Sequence, residues 1–201
     1  MRDIVPAIAM ACIIILPLIF MEKKLQTETF RLVFRVVSIT IIWYLTYAPI
    51  HEISHILGFK LTGVEIIEHK LFPHFWKGDF HHAYIIHGDA NQTQKLIGRM
   101  APYAKDLIFA LAGFFILRKL SVKKTFVTLL VFTWFVSSGL FDLITNFFGF
   151  AAEKTGDFYQ TANDIGIGTT YFIAISMIVV TGALFFASLK LLLQKINLNQ
   201  N

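Results

Sequence analysis

The stretch Val36–Phe59, VVSITIIWYLTYAPIHEISHILGF, decides the fold of this chain. It carries no Asp, Glu, Lys, Arg or His outside one group, His51-Glu52-Ile53-Ser54-His55. The hydrocarbon core of a membrane is about 30 Å thick, and roughly 20 helical residues cross it, because a helix satisfies its backbone polar groups within the segment. The stretch therefore predicts a membrane-spanning helix that holds two histidines and a glutamate at membrane depth.

Four further apolar stretches approach the same length: Ile4–Met21, Ile97–Leu117, Thr125–Ala152 and Ile165–Leu189. Of the 201 residues, 56% are hydrophobic and 15% are charged, at a mean hydropathy of +0.64. This composition excludes a disordered chain and argues against a soluble domain. We therefore predict an all-α fold, a polytopic membrane helical bundle of about five spans that forms a single integral-membrane domain over residues 1–201. The first stretch is expected to remain as a helix, since no small-residue cleavage site follows it.

The net charge of +5 comes from Lys and Arg residues that lie beside the apolar stretches, as at Lys23, Lys24, Arg118 and Lys119. This placement is typical of membrane-flanking charge and differs from a basic face interleaved with aromatic residues. We therefore expect a multi-pass protein of the cell membrane. Its expected partner is the lipid bilayer, and no binding of nucleic acid is expected. The lone Cys12 excludes an internal disulfide.

The polar connection between the second and third spans, residues 60–95, is unusually rich in histidine. Within it, Gly63–Ile67 and Ala83–Ile86 are typical of two short strands around a turn, so a small β-hairpin is expected between these spans. The histidines of the connection are His69, His74, His81, His82 and His87.

The group His51–His55 has the pattern His-Glu-x-x-His. Positions i and i+4 share one face of a helix, so both imidazoles can bind one zinc ion while Glu52 lies beside it to deprotonate a water molecule. An ionisable side chain at membrane depth costs about 3 kcal/mol or more, so three on adjacent turns favour a bound cation or a water-filled cavity. The alternative is an interfacial helix end that reaches the headgroups, and it fits less well because Gly58 and Phe59 continue the apolar character.

A catalytic zinc site needs a third protein ligand, with water in the fourth position. Two carboxylates are candidates. Asp142 lies in the fourth span, with Asn146 one turn away on the same face, and Asp157 lies in the segment before the fifth span. Each also has a structural interpretation: Asp142 as a buried carboxylate paired with a basic residue of the third span, and Asp157 as a helix N-cap.

The chain resembles the site-2 protease family of intramembrane zinc metalloproteases. The resemblance rests on His51–His55 and covers the second to fourth spans. Gly98-Arg-Met-Ala-Pro102 is similar to a small-residue and proline element at the start of the family's next helix, and the expected hairpin also matches. In that family the third ligand is an Asp beside a Gly, downstream of an Asn. Here Gly156-Asp157 has the inverted order after Asn146, and an Asn-Pro-x-Pro element is missing, which keeps Asp142 as a rival.

The resemblance implies an intramembrane zinc metalloprotease with one Zn²⁺ per chain. The metal ligands it implies are His51, His55 and Asp157. Glu52 is then the catalytic base, and Asn146 is a substrate-binding residue that donates a hydrogen bond to the substrate backbone or oxyanion. The expected substrate is a transmembrane protein or peptide, which must unwind locally because helical peptide bonds are buried in their own hydrogen-bond ladder. Substrate choice would rest on the membrane helices or on a regulatory membrane partner.

Two other functions fit parts of the pattern. A membrane metal transporter or metal-binding protein could use the same histidines with Glu52 and Asp142 as an ion path. A membrane di-iron hydroxylase also uses several histidine groups, and His82 with His87 has a passable spacing. That enzyme class typically has more histidines and a paired His-x-x-His-His box, which this sequence lacks.

Overall fold

The computed structural model describes residues 4–25, 28–72, 83–121 and 125–200, which form six helices and a two-stranded hairpin. The helices are α1 (Ile4–Lys24), α2 (Thr29–Leu61), α3 (Gln92–Lys119), α4 (Thr125–Glu153), α5 (Gly156–Ile165) and α6 (Ile167–Gln200). All of them except α5 are long and apolar enough to cross a membrane, which confirms the predicted all-α bundle of five spans. π-helical stretches interrupt α1 at Met10–Ile15 and α4 at Phe132–Ser137 and Gly149–Glu153.

The start of α3 extends beyond the predicted apolar stretch, to Gln92 instead of Ile97. The reason is a capping box. The Asn91 side chain accepts the backbone N–H of Gln94 at 3.0 Å, and the Gln94 side chain accepts the backbone N–H of Asn91 at 2.9 Å. Gln94 Nε2 also donates to Thr62 O at 2.8 Å, so the start of α3 is tied to the end of α2.

The predicted hairpin is confirmed, with its first strand displaced along the chain. The strands β1 (Ile66–Lys70) and β2 (Tyr84–His87) pair antiparallel. The sequence placed the first strand at Gly63–Ile67, but Gly63 has φ +78° and the Val64 N–H donates to Phe59 O at 3.0 Å. Glycine adopts this left-handed conformation without strain, so these residues cap α2 and the strand begins after them.

One end of the bundle brings together the end of α2, the start of α3 and the short helix α5. Here α5 packs against α3, α4 and α6. The apolar cluster beneath it consists of Tyr103, Leu143, Phe150, Phe158, Ala162 and Ala174. The motif His51–His55 lies in the last third of α2, so the fold places it at the end of the bundle that α5 covers.

Candidate metal centre

His51 and His55 lie one helical turn apart on α2, with their Nε2 atoms facing each other. The two Nε2 atoms are 3.2 Å apart, and the ring centroids are 4.9 Å apart. Both side chains are buried, with 11% and 9% of their surface exposed. The i, i+4 spacing thus brings the two imidazoles together as the sequence predicted.

Asp157 brings a third ligand atom to this pair. Its Oδ2 lies 3.4 Å from His51 Nε2 and 3.2 Å from His55 Nε2. In a tetrahedral site with metal–ligand distances of about 2.0–2.1 Å, neighbouring ligand atoms are about 3.3 Å apart. The three observed separations match the edges of one face of such a tetrahedron, so this group could hold a metal ion.

The opposite ring nitrogens decide where the imidazole protons lie. His55 Nδ1 is 2.8 Å from Gly98 O, and His51 Nδ1 is 2.6 Å from Asp142 Oδ2. Because a carbonyl oxygen and a carboxylate only accept hydrogen bonds, both Nδ1 atoms are donors. In the neutral form of the rings, which is the form that binds a metal ion, the two Nε2 atoms then present lone pairs, as does Asp157 Oδ2. Three acceptor atoms within 3.4 Å of one another could then share one cation.

Asp142, the rival third ligand, lies on the other side of His51. Its carboxylate is fully buried and accepts three hydrogen bonds: Oδ2 from His51 Nδ1, and Oδ1 from Tyr47 Oη and Asn146 Nδ2, both at 2.8 Å. A carboxylate on the far nitrogen of a histidine fixes the orientation of the ring for metal binding. The structure therefore brings Asp157 to the Nε2 atoms of both histidines and Asp142 to Nδ1 of His51.

A sharp reversal of the chain between α4 and α5 brings Asp157 to α2. Lys154 has φ +54° and Gly156 has φ +83°, a value that favours glycine. A Cβ atom at Gly156 would also approach the Asn146 side-chain oxygen to 3.1 Å. Asp157 is the second residue of α5. Its carboxylate thus reaches the histidine pair from outside the five spans.

Tyr103 of α3 holds the Asp157 side chain. The Tyr103 hydroxyl donates to Asp157 Oδ2 at 2.9 Å, and the Tyr103 ring stacks on Phe158 with centroids 4.4 Å apart. This hydroxyl donor stabilises the charged form of the Asp157 carboxyl. Asp157 is therefore an anion, which is the form that binds a metal ion.

Two further predicted residues lie around this group. Glu52 is half-buried and directly follows His51 on α2. The Nδ2 atom of Asn146 donates to Asp142 Oδ1 at 2.8 Å and to Asp142 O at 3.2 Å. The amide thus supports the partner of His51, and substrate binding by Asn146 stays a prediction.

Sequence reasoning missed the partners that orient the site. Tyr47 precedes His51 by one turn, a spacing that already indicates a shared face. Gly98 was noted only as a small residue, although its carbonyl holds His55. Tyr103 gives no local signal, since Asp157 lies 54 residues further along the chain.

The histidines of the connection do not join the group within the part of the chain that the structure describes. His87 stacks on Phe59 with centroids 4.2 Å apart, and His69 lies in β1. His74, His81 and His82 lie outside the described residues.

Comparisons of the chain with models of known protein families, with curated proteins and with solved structures give no match. Its function is therefore inferred from the chemistry and geometry of the site itself.

Proposed function

We propose that this protein is an intramembrane zinc metalloprotease that hydrolyses peptide bonds within or beside the transmembrane segments of membrane proteins. The observation that carries the proposal is the convergence of His51 Nε2, His55 Nε2 and Asp157 Oδ2. Glu52 follows the first histidine directly, as a general base does in metalloproteases with this motif. Two imidazoles, one carboxylate and a base are the groups that metal-assisted hydrolysis requires.

Zinc is the metal that this donor set favours. Imidazole nitrogen and carboxylate oxygen are common zinc ligands, and catalytic zinc sites have three protein ligands and an open fourth position. The separations of 3.2–3.4 Å between the donor atoms fit that geometry. A bound zinc ion supplies a Lewis acid that lowers the pKa of water towards neutrality and polarises a substrate carbonyl.

The side chains of the protein supply proton transfer, orientation of the metal ligands and contact with the substrate. Glu52 takes a proton from the attacking water and passes it to the leaving amine. Asp142 keeps the proton of His51 on Nδ1, so the Nε2 lone pair stays free to bind a metal ion. The Asn146 amide nitrogen donates to two Asp142 oxygens, which differs from the expected donation to the substrate. We therefore assign to the Asn146 oxygen, which lies beside Gly156, the contact with a backbone N–H of the substrate.

The depth of the site suits a substrate that is cut near one membrane surface. His55 lies six residues before Leu61, the last residue of α2. Six residues of helix measure about 9 Å at 1.5 Å per residue. A transmembrane substrate that frays at this depth exposes its peptide carbonyls close to the histidine pair. Gly or Pro in the substrate favours that local unwinding.

Substitution of Glu52 by Gln tests the proposal. The protein is reconstituted in lipid vesicles with transmembrane peptides that do or do not carry Gly or Pro, in water enriched in oxygen-18. Hydrolysis introduces the label at the new carboxyl terminus, which mass spectrometry detects. Because loss of a general base costs about 10²- to 10⁴-fold in rate, Glu52→Gln should abolish detectable cleavage while the protein still binds one zinc ion.

Glu65→Gln is the matched control, since Glu65 is an exposed glutamate of the connection. It should cleave as fast as the wild type. Full activity of Glu52→Gln would contradict the hydrolytic mechanism, because Glu52 is the general base that the mechanism assigns to the attacking water.

A second candidate function is metal transport, favoured by one observation. Lys105 and Asp106 lie at the middle of α3, with Lys105 Nζ 2.6 Å from Asp106 Oδ1. The Asp106 side chain also lies against Gly139, three residues before Asp142 on α4, so ionisable groups extend from the histidine pair towards the membrane centre. Ionisable residues inside a membrane often mark an ion pathway. In a transporter that uses Glu52 as a ligand, Glu52→Gln would lower zinc affinity, which separates the two functions.

A further inference from the structure

The carbonyl of Gly98 is the hydrogen-bond acceptor of His55, at 2.8 Å from Nδ1. It belongs to the interior of α3, where each backbone carbonyl normally accepts the N–H group of the residue four positions later. For Gly98 that residue is Pro102, which has no N–H group. The sequence thus frees one carbonyl of α3 at the point where α3 meets the metal centre.

Two physical effects make this carbonyl available to a side chain. The missing donor leaves an acceptor that would cost free energy if it stayed unpaired in a buried place. The proline ring also presses on the carbonyl four residues earlier and tilts it away from the helix axis. Gly98 is buried, so a donor from another helix is the available partner, and His55 provides it.

Close packing of α2 on α3 brings His55 within reach. A Cβ atom on Gly58 would lie 2.6 Å from Ala101 Cβ and 3.1 Å from Gly98 Cα. A Cβ atom on Gly98 would collide with the ring of Phe59. The absence of side chains at the two glycines therefore allows the short distance between His55 and the Gly98 carbonyl.

We propose that Pro102 is a positioning residue of the metal centre. Because Pro102 lacks an N–H group, no backbone donor competes with His55 Nδ1 for the Gly98 carbonyl. The hydrogen bond keeps the proton of His55 on Nδ1 and directs the Nε2 lone pair to the point shared with His51 Nε2 and Asp157 Oδ2. The proposal rests on the metal site of the proposed function and does not depend on peptidase activity.

Two variants of the full-length protein separate the missing donor from the proline ring. Pro102→Ala restores the backbone N–H group, which then competes with His55 for the Gly98 carbonyl. In the second variant, the α-hydroxy acid that corresponds to alanine replaces Pro102, which gives an ester with neither ring nor N–H group. Pro17→Ala in α1 is the matched control, since Pro17 also lies within a membrane helix and is outside the metal group.

The readouts are zinc affinity, by competition with a chelator in detergent, and the visible absorption spectrum of bound Co²⁺, which reports tetrahedral geometry. Circular dichroism confirms that each variant is helical. We expect Pro102→Ala to bind zinc about tenfold more weakly, the lower end of what an outer-shell partner contributes, and to change the Co²⁺ spectrum. The ester variant and Pro17→Ala should both match the wild type.

Equal zinc affinity of Pro102→Ala and the wild type would overturn the proposal, because the restored donor would then not compete with His55. A similar loss in both Pro102 variants would also overturn it, since the ring and not the missing donor would matter. A wild-type protein that binds no zinc would overturn the proposed function as well as this inference, whereas the first two outcomes leave the proposed function intact.

Discussion

Asp142 and Asp157 both contact His51, and they do so from different regions of the molecule. Asp142 lies within the span α4, is fully buried, and bonds to Nδ1 at 2.6 Å. Asp157 lies on the short helix α5 outside the spans, is 19% exposed, and faces Nε2 at 3.4 Å. The same side-chain type thus has two roles, which depend on the ring nitrogen that it reaches.

The surroundings of the two carboxylates explain this difference. Asp142 has three hydrogen-bond donors, from Tyr47, His51 and Asn146, so its charge is satisfied without a metal ion. Asp157 has the Tyr103 hydroxyl and two imidazole nitrogens that present lone pairs. A carboxylate that faces other acceptors needs a cation, whereas one surrounded by donors does not. The comparison predicts that their removal affects metal binding to different extents.

The largest effect is expected from Asp157→Ala. Residues that only hydrogen-bond to a metal ligand contribute up to about 100-fold to metal affinity. Asp157→Ala removes a proposed ligand itself, so zinc affinity should fall by more than that. Metal analysis of the purified protein after dialysis measures this directly. Asp89→Ala removes an exposed aspartate of the connection and should keep one zinc ion per chain. Retention of wild-type affinity by Asp157→Ala would show that another group is the third ligand.

A smaller effect is expected from Asp142→Asn. The amide still accepts the His51 Nδ1–H bond but carries no charge, so zinc should bind about 10- to 100-fold more weakly and still at one ion per chain. Chelator competition measures the change. Complete loss of zinc in this variant, together with retention in Asp157→Ala, would reverse the roles assigned to the two carboxylates.

The smallest effect is expected from Tyr103→Phe, which removes the hydroxyl that donates to Asp157. The ring can still stack on Phe158, so the change removes chiefly the hydrogen bond to Oδ2. An intramolecular hydrogen bond contributes about 1 kcal/mol, so zinc affinity should fall about fivefold.

The control for this variant is Tyr171→Phe, since the Tyr171 ring packs against Phe150 and lies outside the metal group. It should leave zinc affinity unchanged. An equal loss in both variants would indicate a general effect on packing instead of the hydroxyl of Tyr103.

The parts of the molecule that follow from local sequence were predictable. The apolar length of each span set the number of membrane helices, and the spacing of His51 and His55 placed both rings on one face. The start of α3 and the first strand were displaced, because the capping box at Asn91 and the left-handed Gly63 override the apolar pattern.

The choice between Asp142 and Asp157 could not be made from the sequence. It depends on the reversal at Lys154 and Gly156, which turns α5 back towards α2. It depends also on contacts between residues far apart in the chain, such as Asp142 with His51 at a separation of 91 residues. Helical periodicity carries no information on such distant pairs. The element that ends in Pro102 was visible as a pattern, but its relation to His55 requires the packing of two helices.

X-ray absorption at the zinc edge of the purified wild-type protein tests the central claim most directly. We expect one zinc ion per chain, bound by two imidazoles and by oxygen ligands at about 2.0–2.1 Å. A protein that retains no zinc, or a zinc ion with fewer than two imidazoles, would contradict the assignment of His51, His55 and Asp157 as a metal centre.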